Sequence, residues 1–258
     1  MTRVEIEGRS LTTQRWGDGP AEIVVLHDGL GSIRQWRDLP AQMHATTGRT
    51  VLAYDRAGHG SSTPVPTGPW PADWLHTEAE LLAQLLDEVA VAEPLLVGHS
   101  DGGSISLLTA AAGRPLRGVV TLAAHSFVEQ VCVDTITDMR ATPERWVSGL
   151  RRVHQRAAEV FEAWSGVWVS AEFRPWDIRP ELGAIPCRTL VVQGIDDEYG
   201  TPEQAWSTAA AIGANAACVL LPSVGHLLHH QAPERVVEIV AGFDQAAPAQ
   251  APTLETTS

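Results

Sequence analysis

Apolar residues follow two rhythms along this chain. Six short runs, Glu22–Leu26, Val51–Tyr54, Pro94–Val97, Gly118–Ala123, Thr189–Val192 and Ala217–Leu221, have the length and near-continuous hydrophobicity of buried strands. Ahead of them, Val4–Glu7 and Leu11–Trp16 flank Gly8-Arg9 and predict a β-hairpin, with a turn at Gly17-Asp18-Gly19-Pro20. From about Ala72 to Val91 the spacing changes: Leu75, Ala79, Leu82, Leu85, Leu86 and Val89 recur at helical intervals and predict an amphipathic helix. Further helices are expected from about Gly102 to Ala112, over Pro202–Ile212 and over Pro233–Phe243. Strands that alternate with helices predict a mostly parallel sheet covered on both faces, an α/β fold.

The alternation breaks once. From about His125 to Ile185 the chain is rich in Arg and Trp and reads as helical, which makes residues 126–185 an inserted cap. Residues 1–125 and 186–244 then form the core, a size that suits one large α/β domain. From Gln245 onward the sequence falls in complexity, so 245–258 is expected to be a disordered tail.

Composition narrows the functions. The formal net charge of −13 argues against a nucleic-acid or anionic-membrane partner, because phosphates would repel such a surface. All 18 basic residues are arginine. Without lysine there is no Schiff-base or pyridoxal-phosphate chemistry and no P-loop lysine. Cys132, Cys187 and Cys218 are too widely spaced for a zinc site or disulfide framework, which suits a reducing cytoplasm. The N-terminus carries acids where a secretory signal needs an apolar core, and no run of ~20 apolar residues is present. The expectation is a cytoplasmic protein that acts on a small molecule and needs neither metal nor cofactor.

Gly98-His99-Ser100-Asp101-Gly102 follows one of the strand runs and opens a helix of small residues. This is the G-x-S-x-G nucleophile elbow in the context it requires. The serine must project from a sharp strand-to-helix turn, and side chains two residues before or after would collide there. The turn also sets the Ser100 oxygen near a helix N-terminus, where backbone N–H groups favour developing negative charge. A base and an acid must follow it along the chain, acid first. The run ending at Gly194 leads into Ile195-Asp196-Asp197-Glu198, and the run ending at Leu221 leads into Gly225-His226. Both fall at the carboxyl edge of the sheet. His226 is the candidate base; three adjacent acids are open as its partner. His229 and His230 lie where the next helix begins and read as surface or helix-capping residues.

With these motifs the chain resembles the α/β-hydrolase-fold serine hydrolases over about residues 20–125 and 185–240. The resemblance implies a G-x-x-D pattern, which with Gly194 selects Asp197, and a G-H-x-x-H pattern, which Gly225 to His229 match and which selects His226. Asp55-Arg56-Ala57-Gly58-His59-Gly60-Ser61 resembles the family's D-x-x-G-x-G-x-S loop, read as a structural turn. The family's aspartate-nucleophile epoxide hydrolases and dehalogenases are excluded by Ser100. An oxyanion needs two N–H donors, each worth ~2.7–4 kcal/mol in the barrier. One is expected from Asp101, and the H-G-x-x-G loop of the family assigns the other to Gly29. Here that loop reads His27-Asp28-Gly29-Leu30-Gly31, with Asp28 in the usual glycine position. The side chains of Asp28 and Asp101 are expected to face solvent.

Substrate choice should lie in the insertion. Trp146, Trp164 and Trp168, with Trp176, are candidates to line an apolar pocket, or else form the insertion's own core. Arg140, Arg145, Arg151, Arg152 and Arg156 suggest an anion-steering patch or, more simply, a solvated helix face. Arg34 and Arg37 lie near the oxyanion loop. The expected activity is hydrolysis of an ester, thioester or lactone through an acyl-enzyme. Alternatives are carbon–carbon hydrolysis, disfavoured by Leu227 where such enzymes carry tryptophan, cofactor-free lyase chemistry, or a ligand sensor that retains the triad.

Overall fold

Successive residues of a strand face opposite sides of a sheet, and this chain builds a separate core on each side. The computed structural model describes residues 1–64, 68 and 70–246. The hairpin β1 (Thr2–Ile6) and β2 (Arg9–Trp16) turns at Glu7 and Gly8, both at positive φ (49° and 76°), one residue earlier than expected. Such a turn twists with the strands it joins. Then come β3 (Ile23–Leu26), α1 (Leu39–Thr47), β4 (Val51–Tyr54), α2 (Trp74–Glu88), β5 (Leu95–His99), α3 (Asp101–Ala111) and β6 (Gly118–Leu122). Four helices, α4 (Gln130–Ala141), α5 (Pro143–Leu150), α6 (Ala157–Trp168) and α7 (Arg179–Leu182), separate β6 from β7 (Thr189–Gly194). The chain closes with α8 (Glu203–Ile212), β8 (Ala216–Leu221), α9 (Leu228–Gln231) and α10 (Pro233–Gln245). The last helix thus takes in Gln245, and 247–258 lie outside the described residues.

The eight strands run in the order β1-β2-β4-β3-β5-β6-β7-β8, parallel from β4 to β8. Val24, Leu26 and Leu96 pack on one face with α2, α3 and the inserted helices. Ile23, Val25, Leu95 and Val97 pack on the other with Met43 of α1 and Val236 and Val240 of α10. From β3 the chain moves first to β4 and then back past β3 to β5. That reversal opens a crevice at the carboxyl ends of β3 and β5, where open α/β sheets bind ligands. A bridge between Phe127 and Asp177 closes the neck of the inserted segment. Among the described residues, no helix is long and apolar enough to cross a membrane.

Candidate active site

The elbow between β5 and α3 is built by exclusion. A Cβ on Gly98 would lie 2.2 Å from the Gly102 carbonyl oxygen, and one on Gly102 would lie 2.3 Å from the Leu26 carbonyl oxygen. Only glycine lets these backbones approach so closely. Between them Ser100 adopts φ 52° and ψ −121°, a strained conformation for a residue with a Cβ. The Ser100 N–H donates to the Leu122 carbonyl (2.8 Å) and its carbonyl accepts from Gly103 (2.8 Å), which holds the turn on both sides.

A continuous hydrogen-bonded line leads away from Ser100. His226 Nε2 lies 3.0 Å from Ser100 Oγ, and His226 Nδ1 lies 2.9 and 3.0 Å from the two carboxylate oxygens of Asp197. Asp197 is oriented in turn by the N–H groups of Tyr199 (2.8 Å) and Gly200 (3.2 Å) and by Gln193 Nε2 (2.6 Å). A Cβ on Gly194 would sit 2.2 Å from the Val224 carbonyl oxygen, so the loops that carry Asp197 and His226 meet only because that residue is glycine. Of the three adjacent acids only Asp197 bonds the His226 ring. Asp196 is exposed, and Glu198 instead accepts the His226 backbone N–H (3.1 Å). Burial alone would raise the Asp197 carboxyl, but the charge and hydrogen bond of His226 hold it below the ordinary carboxylate value. For His226, burial acts downward and is outweighed by the charge and hydrogen bond of Asp197, so its pKa rises above the usual value.

Opposite Ser100, Gly29 and Asp101 keep N–H groups that bond to no protein acceptor among the described residues. The carbonyls of the Gly29 loop are pinned in sequence. Arg56 Nη2 donates to the Asp28 carbonyl (2.7 Å), His59 Nε2 to that of Gly29 (2.9 Å), and His154 Nε2 to that of Leu30 (2.8 Å). A trans peptide is planar with C=O and N–H opposed, so the pull of Arg56 on the Asp28 carbonyl turns the Gly29 N–H the other way. Burial lowers the pKa of both His59 and His154 and keeps these rings neutral donors. Arg56 and His59 belong to the loop read from sequence as a structural turn, and Asp55 makes that turn by accepting from Ile33 and Ser61. Nothing in the local sequence links those residues, or the distant His154, to the oxyanion loop.

Asp28 and Asp101 do not face solvent, contrary to expectation. Asp28 accepts the Leu30 N–H (2.9 Å) and lies 3.2 Å from His99 Nδ1, while His99 Nε2 donates to the His226 carbonyl (2.8 Å). Burial would raise the Asp28 carboxyl, but the neighbouring His99 holds it far below the usual range. Asp101 is 1% exposed; its Oδ2 accepts from Trp164 Nε1 (3.0 Å), and its Oδ1 has no partner among the described residues. Burial pushes that carboxyl up to about 7. His229 also departs from expectation. It is buried against Trp36 and His99 because α9 is a single turn tucked under the oxyanion loop. His230 is half-buried and donates to the Gln35 carbonyl. Asp28, His99 and His229 bring potential metal-ligand atoms within 4.8 Å of one another, but hydrogen bonds already engage the first two.

A cavity of about 260 Å³ opens onto Ser100, Gly29, Asp101 and His226. Trp146, Trp164 and Trp168 line it together with His125 and Tyr199, two residues that the sequence pattern does not single out. Trp176 stacks on Phe173 behind Trp168 and stays out of the lining. The arginines of the insertion are a solvated face. Arg140 pairs with Glu162 and Arg156 with Glu159, while Arg145, Arg151 and Arg152 are exposed. Arg34 and Arg37 are exposed as well, and no arginine is among the described residues lining the cavity.

A serine, an aspartate and a histidine hydrogen-bonded in this way on such a sheet invite comparison with known proteins. Residues 23–239 match the model of the alpha/beta hydrolase family. The 2-succinyl-6-hydroxy-2,4-cyclohexadiene-1-carboxylate synthase of Salmonella agona (strain SL483) is 31% identical over 147 residues, which are 57% of this chain and 54% of that protein. The match thus spans about half the length of that curated relative. A solved hydrolase from Pseudomonas aeruginosa PA01 superposes with a TM-score of 0.74 at 22% identity, covering 95% of this chain and 98% of its own. The enol-lactonase from Burkholderia xenovorans LB400 superposes with a TM-score of 0.71 at 23% identity, covering 94% and 99%. The fold is therefore the one the elbow implies, and the chain belongs to the alpha/beta hydrolase family.

Proposed function

We propose that this protein hydrolyses small carboxylic esters or lactones through an acyl-enzyme on Ser100. The observation that carries this reading is the unbroken hydrogen-bonded line from Ser100 Oγ through His226 to Asp197. Ser100 Oγ attacks the carbonyl carbon while His226 Nε2 takes its proton, and Asp197 holds the ring in the tautomer that can accept it. The N–H groups of Gly29 and Asp101 receive the oxyanion. Collapse breaks the bond to the leaving oxygen, which takes the proton from His226. Water then repeats the sequence, with His226 as base, and releases the acid. Residues 126–185 act as the cap that encloses the acyl group.

The cavity supports a small, largely apolar substrate. At about 260 Å³ it is smaller than the ~300–1,000 Å³ typical of drug-sized ligands, which favours a simple ester or lactone over a coenzyme A thioester. A second reading, synthase chemistry on a carboxylate, is suggested by the name of the Salmonella relative. The lack of arginine among the described lining residues weighs against an anionic substrate of that kind. The test is a hydrolysis screen across acyl chain lengths, lactones and dienoates, run beside Ser100→Ala. Turnover of short esters or lactones that disappears in the variant supports the proposal; turnover of none of them by the wild-type protein overturns it.

A further inference from the structure

His99 is the last residue of β5, fully buried, and stands one position before Ser100 with its backbone paired to Leu122 of β6. Its ring joins two loops that meet at the site. Nε2 donates to the His226 carbonyl (2.8 Å), and Nδ1 lies 3.2 Å from Asp28 Oδ2 in the oxyanion loop. The stretch that carries His226, residues 222–227, joins β8 to α9 without strand or helix of its own. Inside it the His226 carbonyl also accepts the Leu228 N–H (3.0 Å), which shapes the turn but does not say where the turn sits. From outside, Asp197 holds the ring at Nδ1, and the exposed Glu198 accepts the backbone N–H. Among the described residues, only two hydrogen bonds join this loop to the elbow: Ser100 to the His226 ring, and His99 to the His226 backbone.

We propose that His99 is a positioning residue for His226: its Nε2 tethers the His226 backbone to the end of β5 and so fixes the reach of that imidazole to Ser100 Oγ. This rests on the ester-hydrolase reading above and adds a residue to its machinery. The tether matters most after acylation. Before it, Ser100 Oγ itself bonds His226 Nε2. Once Oγ is bonded to the acyl carbon it has no hydrogen to share, and His226 must keep its place for the incoming water without that bond. Asp197 then sets the direction of the ring, and His99 holds the backbone from which it hangs. Asp28 aims the tether. A carboxylate and a backbone carbonyl only accept, so a ring with a hydrogen on each nitrogen serves both. Burial would raise the Asp28 carboxyl, but the hydrogen bond and charge of His99 keep it far below the usual range, so it stays ionised beside Nδ1. The pairing also answers the charge of Asp28, which lines the cavity next to Gly29 and would otherwise oppose an oxyanion there.

The test sets His99→Gln against His99→Asn. The longer amide can place an N–H near the position of Nε2 and keep the bond to His226; the shorter one reaches only as far as Nδ1 and keeps the Asp28 side alone. Both lose the ring, so a purely structural role would affect them alike, and circular dichroism checks that both are folded at the assay temperature. A misplacement of about 1 Å at a reacting group costs ~10²-fold in rate. His99→Asn should therefore lower kcat by about 10²-fold with KM little changed and slow fluorophosphonate labelling of Ser100 by a similar factor. His99→Gln should recover most of both. Equal rates in the two variants, or a loss confined to KM, overturn the inference. Nitrogen NMR of the His99 ring in the wild-type protein depends on no variant: hydrogen on Nε2 is expected, and a bare Nε2 overturns the tether. A wild type that hydrolyses no ester but is labelled at Ser100, with the same split between the variants, upholds the positioning role and removes only the ester reading.

Discussion

Gly29→Ala tests how tightly the inserted helices are pressed onto the oxyanion loop. The added methyl would lie 1.9 Å from Trp164 Nε1 and 2.3 Å from Asp101 Oδ2, so the indole must retreat by about 1.5 Å to regain an ordinary 3.4 Å contact. Trp164 is 6% exposed and belongs to the core on that side of the sheet, so it has little room to move. The retreat breaks its hydrogen bond to Asp101, worth ~1.5–3 kcal/mol for a charged acceptor. Overpacking costs a further ~1–3 kcal/mol. A loss of roughly 3–6 kcal/mol lowers Tm by roughly 6–24 °C in a chain of this size. If the Gly29 N–H receives the oxyanion as proposed, displacing it should also cut kcat by about 10²–10³-fold. Thermal unfolding followed by circular dichroism, with turnover of the best ester, reads both effects. Trp164→Phe removes the clashing nitrogen, so Gly29→Ala should cost less in that background by about 1 kcal/mol or more. A Gly29→Ala protein that melts at or above the wild-type temperature, as an unhindered Gly→Ala change would allow, refutes the packing argument.

Asp197→Asn should lower kcat by ~10⁴ through loss of the right His226 tautomer, whereas Asp196→Asn, on an exposed side chain, should leave it nearly unchanged; steady-state kinetics of the pair decides. Trp146→Ala, Trp164→Ala or Trp168→Ala should shift the kcat/KM ratio between bulky and small esters by at least ~10-fold in one or more cases. Trp176→Ala should lower Tm and leave that ratio alone. The pH profile follows from His226, whose raised pKa means that the ring pairs best with Asp197 when protonated. That contribution to stability is complete below 6.5 and lost as pH rises through the folded value. Catalysis needs the neutral ring, so the acid limb of kcat/KM should have its midpoint above 6.5, and a midpoint below it would contradict the assignment.

What was legible in the sequence is what backbone geometry demands locally. Gly98 and Gly102 flank Ser100 because no Cβ fits there, and Gly194 stands three residues before Asp197 because the Asp197 and His226 loops touch at that point. Such constraints act over a few residues and leave a pattern. The side chains around the oxyanion loop leave none. Asp28 and Asp101 look like surface acids until the inserted Trp164 and the strand-end His99 are folded over them. The burial of His229 is hidden for the same reason: it depends on Trp36 and His99, far away in the chain. His154 reaches the Leu30 carbonyl across 124 positions, a contact that no local rule signals.

Covalent labelling tests whether Ser100 is an activated nucleophile without knowledge of the substrate. The protein is treated with a fluorophosphonate, its intact mass is measured, and the adduct is located by peptide mapping. One adduct per chain is expected, on the peptide that carries Ser100, absent in Ser100→Ala and formed far more slowly in His226→Ala. Ser100→Ala should also lower kcat on any ester the wild type accepts by on the order of 10⁴ to 10⁶. An adduct on another residue, or ester turnover that survives in Ser100→Ala, would contradict the role of Ser100.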